Sequence, residues 1–260
     1  MIRLGRRADA KDLDEFQRLR SKRLLILSAL PFILAATALL AIFIGSLGPI
    51  GPGVETETGE RIRMSFGDAF DALIHGHGDW PRDYHGTLWD VRIPRVLLAG
   101  LVGASLACAG TAMQAVFRNP MADPYIVGVS SGASLGAVAA GLAGLSVMAV
   151  IGPIVTPLLA FTIALMTVFL VYFLGTSKGK VYVDTLLLSG VAVAIFLDAT
   201  RSFLIYYDRQ EFHRVIFWLL GSFALASWTS MAVVGIAVGI GAFTVFLFSR
   251  DLNALLLGEE

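Results

Sequence analysis

Residues 92–136 read RIPRVLLAGLVGASLACAGTAMQAVFRNPMADPYIVGVSSGASLG, and this stretch decides the fold. Within it, residues 96–117 are 22 positions without a charge, bracketed by Arg95 and Arg118. A bilayer core of ~30 Å asks for about 20 residues of α-helix, so the run is long enough to span. The turn RNPMADP follows, and its prolines at 120 and 124 end helices. Beyond it, Gly128, Gly132, Gly136, Ala140 and Gly144 recur at every fourth position. Such a stripe lacks side chains, so another helix can approach until dispersion and Cα–H contacts hold it. The stretch predicts a membrane hairpin whose second helix is built to be packed on.

Composition agrees with that reading. The chain of 260 residues is 56% hydrophobic and 15% charged, with a mean hydropathy of +0.75, outside the range of soluble domains. Its net charge is zero, which gives no electrostatic case for nucleic acid. The single cysteine, Cys108, lies inside an apolar run and reads as a packing thiol, since neither a disulfide framework nor a CxxC site is available to it.

Outward from the hairpin, the expected architecture is all-α, a polytopic transmembrane bundle of six spans plus a half-helix. A cytoplasmic basic arm over residues 1–23 carries eight Lys/Arg, which places the N-terminus inside by the positive-inside rule. The spans are expected at residues 24–47, 96–117, 126–145, 154–174, 183–206 and 228–249 of a permease domain covering 24–249. Residues 48–90 hold eight carboxylates against three arginines and read as an external loop in which Phe66, Phe70, Leu73 and Ile74 form a short amphipathic helix. From 124 to 177 there are 54 residues without a charge. One helix of that length would measure about 80 Å, so the segment must fold back once, near Gly144, Gly152, Pro153 and Pro157. Residues 215–249 are 35 uncharged positions, too long for one crossing, which suggests a half-helix around 217–223 before the last span. Residues 250–260 close on the inner face, with Leu252, Leu255 and Leu256 on one side of a short amphipathic helix.

The stretch RIPR, then AGLVGASLACAGTAMQAVFRNPMADPYIVGVSSGA, resembles the membrane subunit of the ABC importers for iron-siderophores, haem and cobalamin, the FecCD or BtuC-like permeases. The resemblance extends over roughly residues 24–260. It implies a translocation pathway worked by alternating access, formed with a second permease chain as homodimer or paralogue and embedded in membrane lipid. It also implies two ATP-binding subunits and an external substrate-binding protein. Arg92 and Arg95 stand three apart around Pro94 at the outer mouth of the second span, where both can point into water. The resemblance makes them seats for carboxylates of the binding protein, a pairing that is bidentate and strong. It places Asn119 and Met121 on the inner gate loop, and Val183 and Asp184 on a second gate loop where the family pattern has small hydroxyl residues. LNALLLGEE matches the start of the coupling helix, implying contact of Leu252, Asn253, Leu255, Leu257, Gly258 and Glu259 with the ATPase. The family has ten spans. The last four are expected to be missing here, so the chain reads as a fragment or as one half of a split permease, without transport activity of its own.

Other chemistry is weighed against plainer explanations. Asp198 and Arg201 within a span are expensive to bury and mark a possible pathway, or else a local i, i+3 ion pair. Gly128-Val129-Ser130-Ser131-Gly132 satisfies G-x-S-x-G, with Asp198 and His213 in hydrolase order, but the motif acts only on a strand-to-helix elbow. An intramembrane serine hydrolase is therefore the minor alternative, and no catalytic residue is assigned. His75, His77 and His85 with Asp79 and Asp83 crowd the external loop, where a solvated surface is the commoner reading than a metal site. TSKGK lacks the glycine spacing of a phosphate loop. No cofactor is assigned to this chain, and ATP-Mg is expected on the partner subunits.

Overall fold

The computed structural model describes residues 10–44, 54–55, 61–62, 65, 67, 70–71, 74, 86–145, 152–177, 179–207, 219–224 and 226–257. Seven α-helices are described: α1 Ala10–Phe43, α2 Ile93–Val116, α3 Val129–Leu142, α4 Gly152–Gly175, α5 Val183–Tyr207, α6 Trp228–Leu247 and α7 Ser249–Leu257. Two two-residue antiparallel ladders interrupt them, β1 (Val54–Glu55) with β2 (Arg61–Ile62), and β3 (Thr176–Ser177) with β4 (Lys180–Val181).

Among the described residues, five helices are long and apolar enough to cross a membrane: Arg20–Phe43, Leu88–Val116, Ile154–Gly175, Val183–Tyr206 and Trp228–Leu247. The segment expected as a further full span at 126–145 is shorter than that. Two glycines cut it to the 14 residues of α3. Gly128, at φ +74°, ends a 3₁₀ turn over Pro124–Val127, and Gly144, at φ +68°, stops the chain after α3. Left-handed backbone of this kind is readily adopted only by glycine. At 1.5 Å per residue α3 is about 21 Å long.

The N-terminal boundary also differs from expectation. Helix α1 starts at Ala10, so most of the basic arm is helical and continuous with the first span. Arg18, Arg20 and Lys22 are exposed on it. Pro31 lies inside α1 without ending it, as membrane helices allow. In the loop expected outside, over residues 48–90, Phe70 and Ile74 are helical and exposed, while Phe66 and Leu73 lie outside the described residues. So do residues 217–218 of the expected half-helix. Leu219 and Leu220 are helical, and Gly221 at φ +72° turns the chain out of the helix before Phe223.

The chain divides into two compact units, Met1–Leu97 with Ala226–Trp228, and Leu98–Leu225 with Thr229–Glu260. The core of the second unit is a three-helix packing of α3, α4 and α5. Gly136 is why α3 and α4 can meet backbone to backbone: a Cβ there would stand 2.6 Å from the Leu159 carbonyl oxygen and 2.8 Å from the Ala160 Cα. At Gly132 a Cβ would collide with the Thr167 hydroxyl. The Thr167 hydroxyl donates to the Ile163 carbonyl at 2.8 Å, so this buried polar group brings no unmet hydrogen bond to the seam. Gly190 does the same for α5, since a Cβ there would sit 2.6 Å from the Ile126 carbonyl oxygen of the 3₁₀ turn.

Candidate functional site

The α2–α3 loop is rooted in the core at both ends. Phe117 and Ala122 at its two ends are buried with Val127, Val171, Leu186 and Val193, which anchors the loop onto α4 and α5. Between them the backbone is held by short-range hydrogen bonds. The Asn119 carboxamide oxygen accepts from the Met121 N–H at 2.9 Å, and the Asp123 carboxylate accepts from the Tyr125 N–H at 2.8 Å, capping the 3₁₀ turn. These are the local side-chain to backbone bonds for which Asn and Asp are favoured in turns. Arg118 takes a left-handed backbone (φ +49°) as the chain leaves α2. The result is a stiff turn that presents Met121, 84% exposed, at its tip.

Val183 and Asp184 occupy the first turn of α5 and are exposed. Asp184 suits that place because a carboxylate complements the positive end of the helix dipole. The β3–β4 ladder leads into this turn, and the Tyr182 N–H donates back to the Gly175 carbonyl at 3.4 Å.

The arginine pair departs from expectation. Arg95 is exposed, but Arg92 is 9% exposed, and its guanidinium donates to the Ile42 carbonyl at 2.6 Å. The two do not both point into water: Arg92 closes a π-helical turn over Gly86–Arg92 and is held against the C-terminal end of α1, which covers one guanidinium and leaves the other outside. Leu88 and Pro94, nearly solvent-free, flank Arg92. On the same turn Trp89 stacks on Trp228, with ring centroids 6.4 Å apart, and accepts a 2.9 Å hydrogen bond from the Trp228 indole N–H at its carbonyl. Two tryptophans at span ends are an interfacial signal in the sequence, yet nothing in the sequence pairs them.

Asp198 and Arg201 form the i, i+3 ion pair on α5, at 3.2 Å. The same Nη1 donates to the Ser134 hydroxyl at 3.0 Å, and the Ser134 hydroxyl donates to the Ser131 carbonyl at 2.9 Å. Ser134 is buried. The charged pair thereby braces α5 against α3. Sequence reasoning missed Ser134, whose only signal is its place one turn beyond Ser130 beside the glycine stripe.

Ser130 is exposed in the first turn of α3. Its GVSSG motif follows a 3₁₀ turn rather than a strand, so the nucleophile-elbow geometry is missing. His213, and the loop group His75, His77, His85, Asp79 and Asp83, lie outside the described residues. Helix α7 half-buries Leu252 and Leu255 and exposes Asn253, although Leu256, expected on the apolar face, is exposed as well. Helix α7 extends to Leu257, and Gly258 and Glu259 lie outside the described residues.

Residues 58–260 match the model of a family described as the FecCD transport family. This chain belongs to that family. Relatives of the FecCD chain include the cobalamin import system permease BtuC of Halobacterium salinarum, 45% identical over 170 residues, which are 65% of this chain and 45% of that protein. An uncharacterised ABC transporter permease of Bacillus subtilis, YvrB, is 35% identical over 228 residues, 87% of this chain and 62% of the relative. A solved structure of an inward-facing metal-chelate type ABC transporter superposes with a TM-score of 0.68 at 25% identity, covering 88% of this chain and 64% of the other. The FecCD chain spans 45% to 62% of the length of these two curated relatives. Family membership and five helices of spanning length make it a multi-pass membrane protein.

Proposed function

We propose that this chain is the permease subunit of a binding-protein-dependent ABC importer for a metal chelate such as an iron-siderophore, haem or cobalamin. The observation that carries the reading is the family match over residues 58–260. The names of the relatives, cobalamin import in one organism and iron chelatin transport in Helicobacter pylori, support a metal chelate as the substrate class. The N-terminus lies in the cytoplasm in this reading. A soluble substrate-binding protein docks at the outer mouth, meeting Arg95 through a carboxylate. ATP-binding subunits, which bring the ATP-Mg, press on α7 around Leu252, Asn253 and Leu255. The stiff loop bearing Asn119 and Met121, with Val183 and Asp184 at the start of α5, forms the inner constriction. Coupling requires that binding protein and nucleotide favour different states of the pathway, and Asp198 with Arg201 contributes to the wall of α5 that it passes.

Uptake of labelled cobalamin, iron-siderophore and haem by cells carrying the complete operon tests this. Deleting the gene is expected to abolish uptake of one of the three, and supplying the full reading frame in trans restores it. Undiminished uptake of all three after deletion overturns the proposal. Arg95→Glu is expected to lower the surviving uptake at least ~10-fold, the scale of a lost and reversed charge pair at a docking rim.

A further inference from the structure

Helix α1 leaves its last four carbonyls without intrahelical donors, as any α-helix does. Near a membrane surface such a group is costly when no water reaches it. The Leu40 carbonyl is met by the Ile44 N–H at 2.9 Å. The Ile42 carbonyl is met by Arg92, from 50 residues further along the chain. A cationic donor at a helix C-terminus gains twice, from the hydrogen bond and from the negative end of the helix dipole. This guanidinium is also the buried member of its pair, whereas Arg95 is exposed. A side chain committed to a helix end and shielded from water is badly placed to receive a carboxylate from a soluble protein, because desolvated charge pairs form only where both partners can reach each other.

We propose that Arg92 is a positioning residue, one that caps α1 and locks the π-helical turn to it, so that Arg95 alone of the RIPR pair meets the binding protein. The turn is fixed at two points, at Arg92 by the end of α1 and at Trp89 by the ring and indole N–H of Trp228. Arg95, three residues on, is thereby held in a set position at the rim. Its docking half rests on the function proposed above; the capping half does not.

Arginine footprinting of the full chain in detergent micelles with phenylglyoxal, read by mass spectrometry, addresses the capping half without any partner. Arg95 is expected to be modified at least ~10-fold faster than Arg92, as follows when one guanidinium is exposed and the other is shielded. Equal rates overturn the proposal. A second measurement separates a hydrogen-bond donor from a docking charge. Arg92→Ala is expected to lower the thermal midpoint by about 3 °C or more, Arg92→Lys to recover most of that loss, and Arg95→Gln to leave the midpoint unchanged. In uptake assays with the complete operon, Arg92→Gln should keep the salt dependence of transport and Arg95→Gln should flatten it. The reverse pattern overturns the division of roles. If Arg95→Glu leaves uptake intact while the footprint holds, the docking reading fails and the cap stands.

Discussion

Helices α3 and α6 are written in similar letters and sit in opposite surroundings. Both are apolar, rich in small residues and free of charge. In α3 the glycines at 132 and 136 meet the body of α4 so closely that neither has room for a methyl group. In α6 the glycines at 239 and 241 have nothing within 4 Å of where a Cβ would stand, and Ile236, Ile240, Phe243 and Phe246 are exposed. Helix α2 resembles α6 in this, with open space at Gly100, Gly103 and Gly110. Small residues therefore permit close packing without enforcing it. What separates the two helices is the neighbour. On α3, Gly132 meets Thr167 and Ala164 of α4 and Gly136 meets Leu159 and Ala160, whereas on α6 the nearest neighbour to a Cβ at Gly235 would be the Leu101 side chain, at 3.7 Å.

The contrast can be broken most severely at Gly136. Gly136→Leu should destabilise the chain by about 3 kcal/mol or more, because the obstacle is backbone and cannot rotate away. Thermal or SDS unfolding in micelles reads this, and a loss under about 0.5 kcal/mol would mean that α3 and α4 are not in contact. Gly132→Ala comes next, at about 1 to 2 kcal/mol, with part of the loss recovered by adding Thr167→Ala, since the Thr167 side chain is among what the new methyl meets. Strict additivity of the two substitutions would remove that contact. Ser134→Ala should cost about 0.6 kcal/mol, the usual scale of a hydrogen bond between membrane helices, and a double-mutant cycle with Arg201→Ala should show coupling of similar size. On the other side of the comparison, Gly239→Ala should change stability by less than about 0.5 kcal/mol or raise it slightly, because alanine is the better helix former and meets nothing.

Much of the architecture could be read from charge-free run lengths. The helices α2, α4 and α6 begin or end within a few residues of where those runs place them, because burying even one charge in a bilayer is expensive, whereas α5 carries the paired Asp198 and Arg201 inside it. The glycine stripe likewise announced a packed face on α3. Three features were not legible. The length of α3 depends on Gly128 and Gly144 taking left-handed backbone, whereas glycine in a membrane sequence equally serves packing. The π-helical entry to α2 has no periodic signature in seven residues, and the spacing of Arg92 and Arg95 predicted a shared exposed face because the contact of Arg92 with the Ile42 carbonyl, 50 residues away, leaves no local trace. The Ser134 to Arg201 bond joins positions 67 residues apart, and nothing local distinguishes Ser134 from its neighbours.

The α2–α3 loop has a further consequence. Because Phe117 and Ala122 are rooted among α4 and α5, and Asn119 and Asp123 stitch the backbone between them, the segment has little slack with which to absorb displacement. A tilt of α4 or α5 would carry Met121 along undamped, like the free end of a lever whose fulcrum is the Phe117 ring. Displacement of that tip then needs no melting of the loop, only a shift of the helices that hold it.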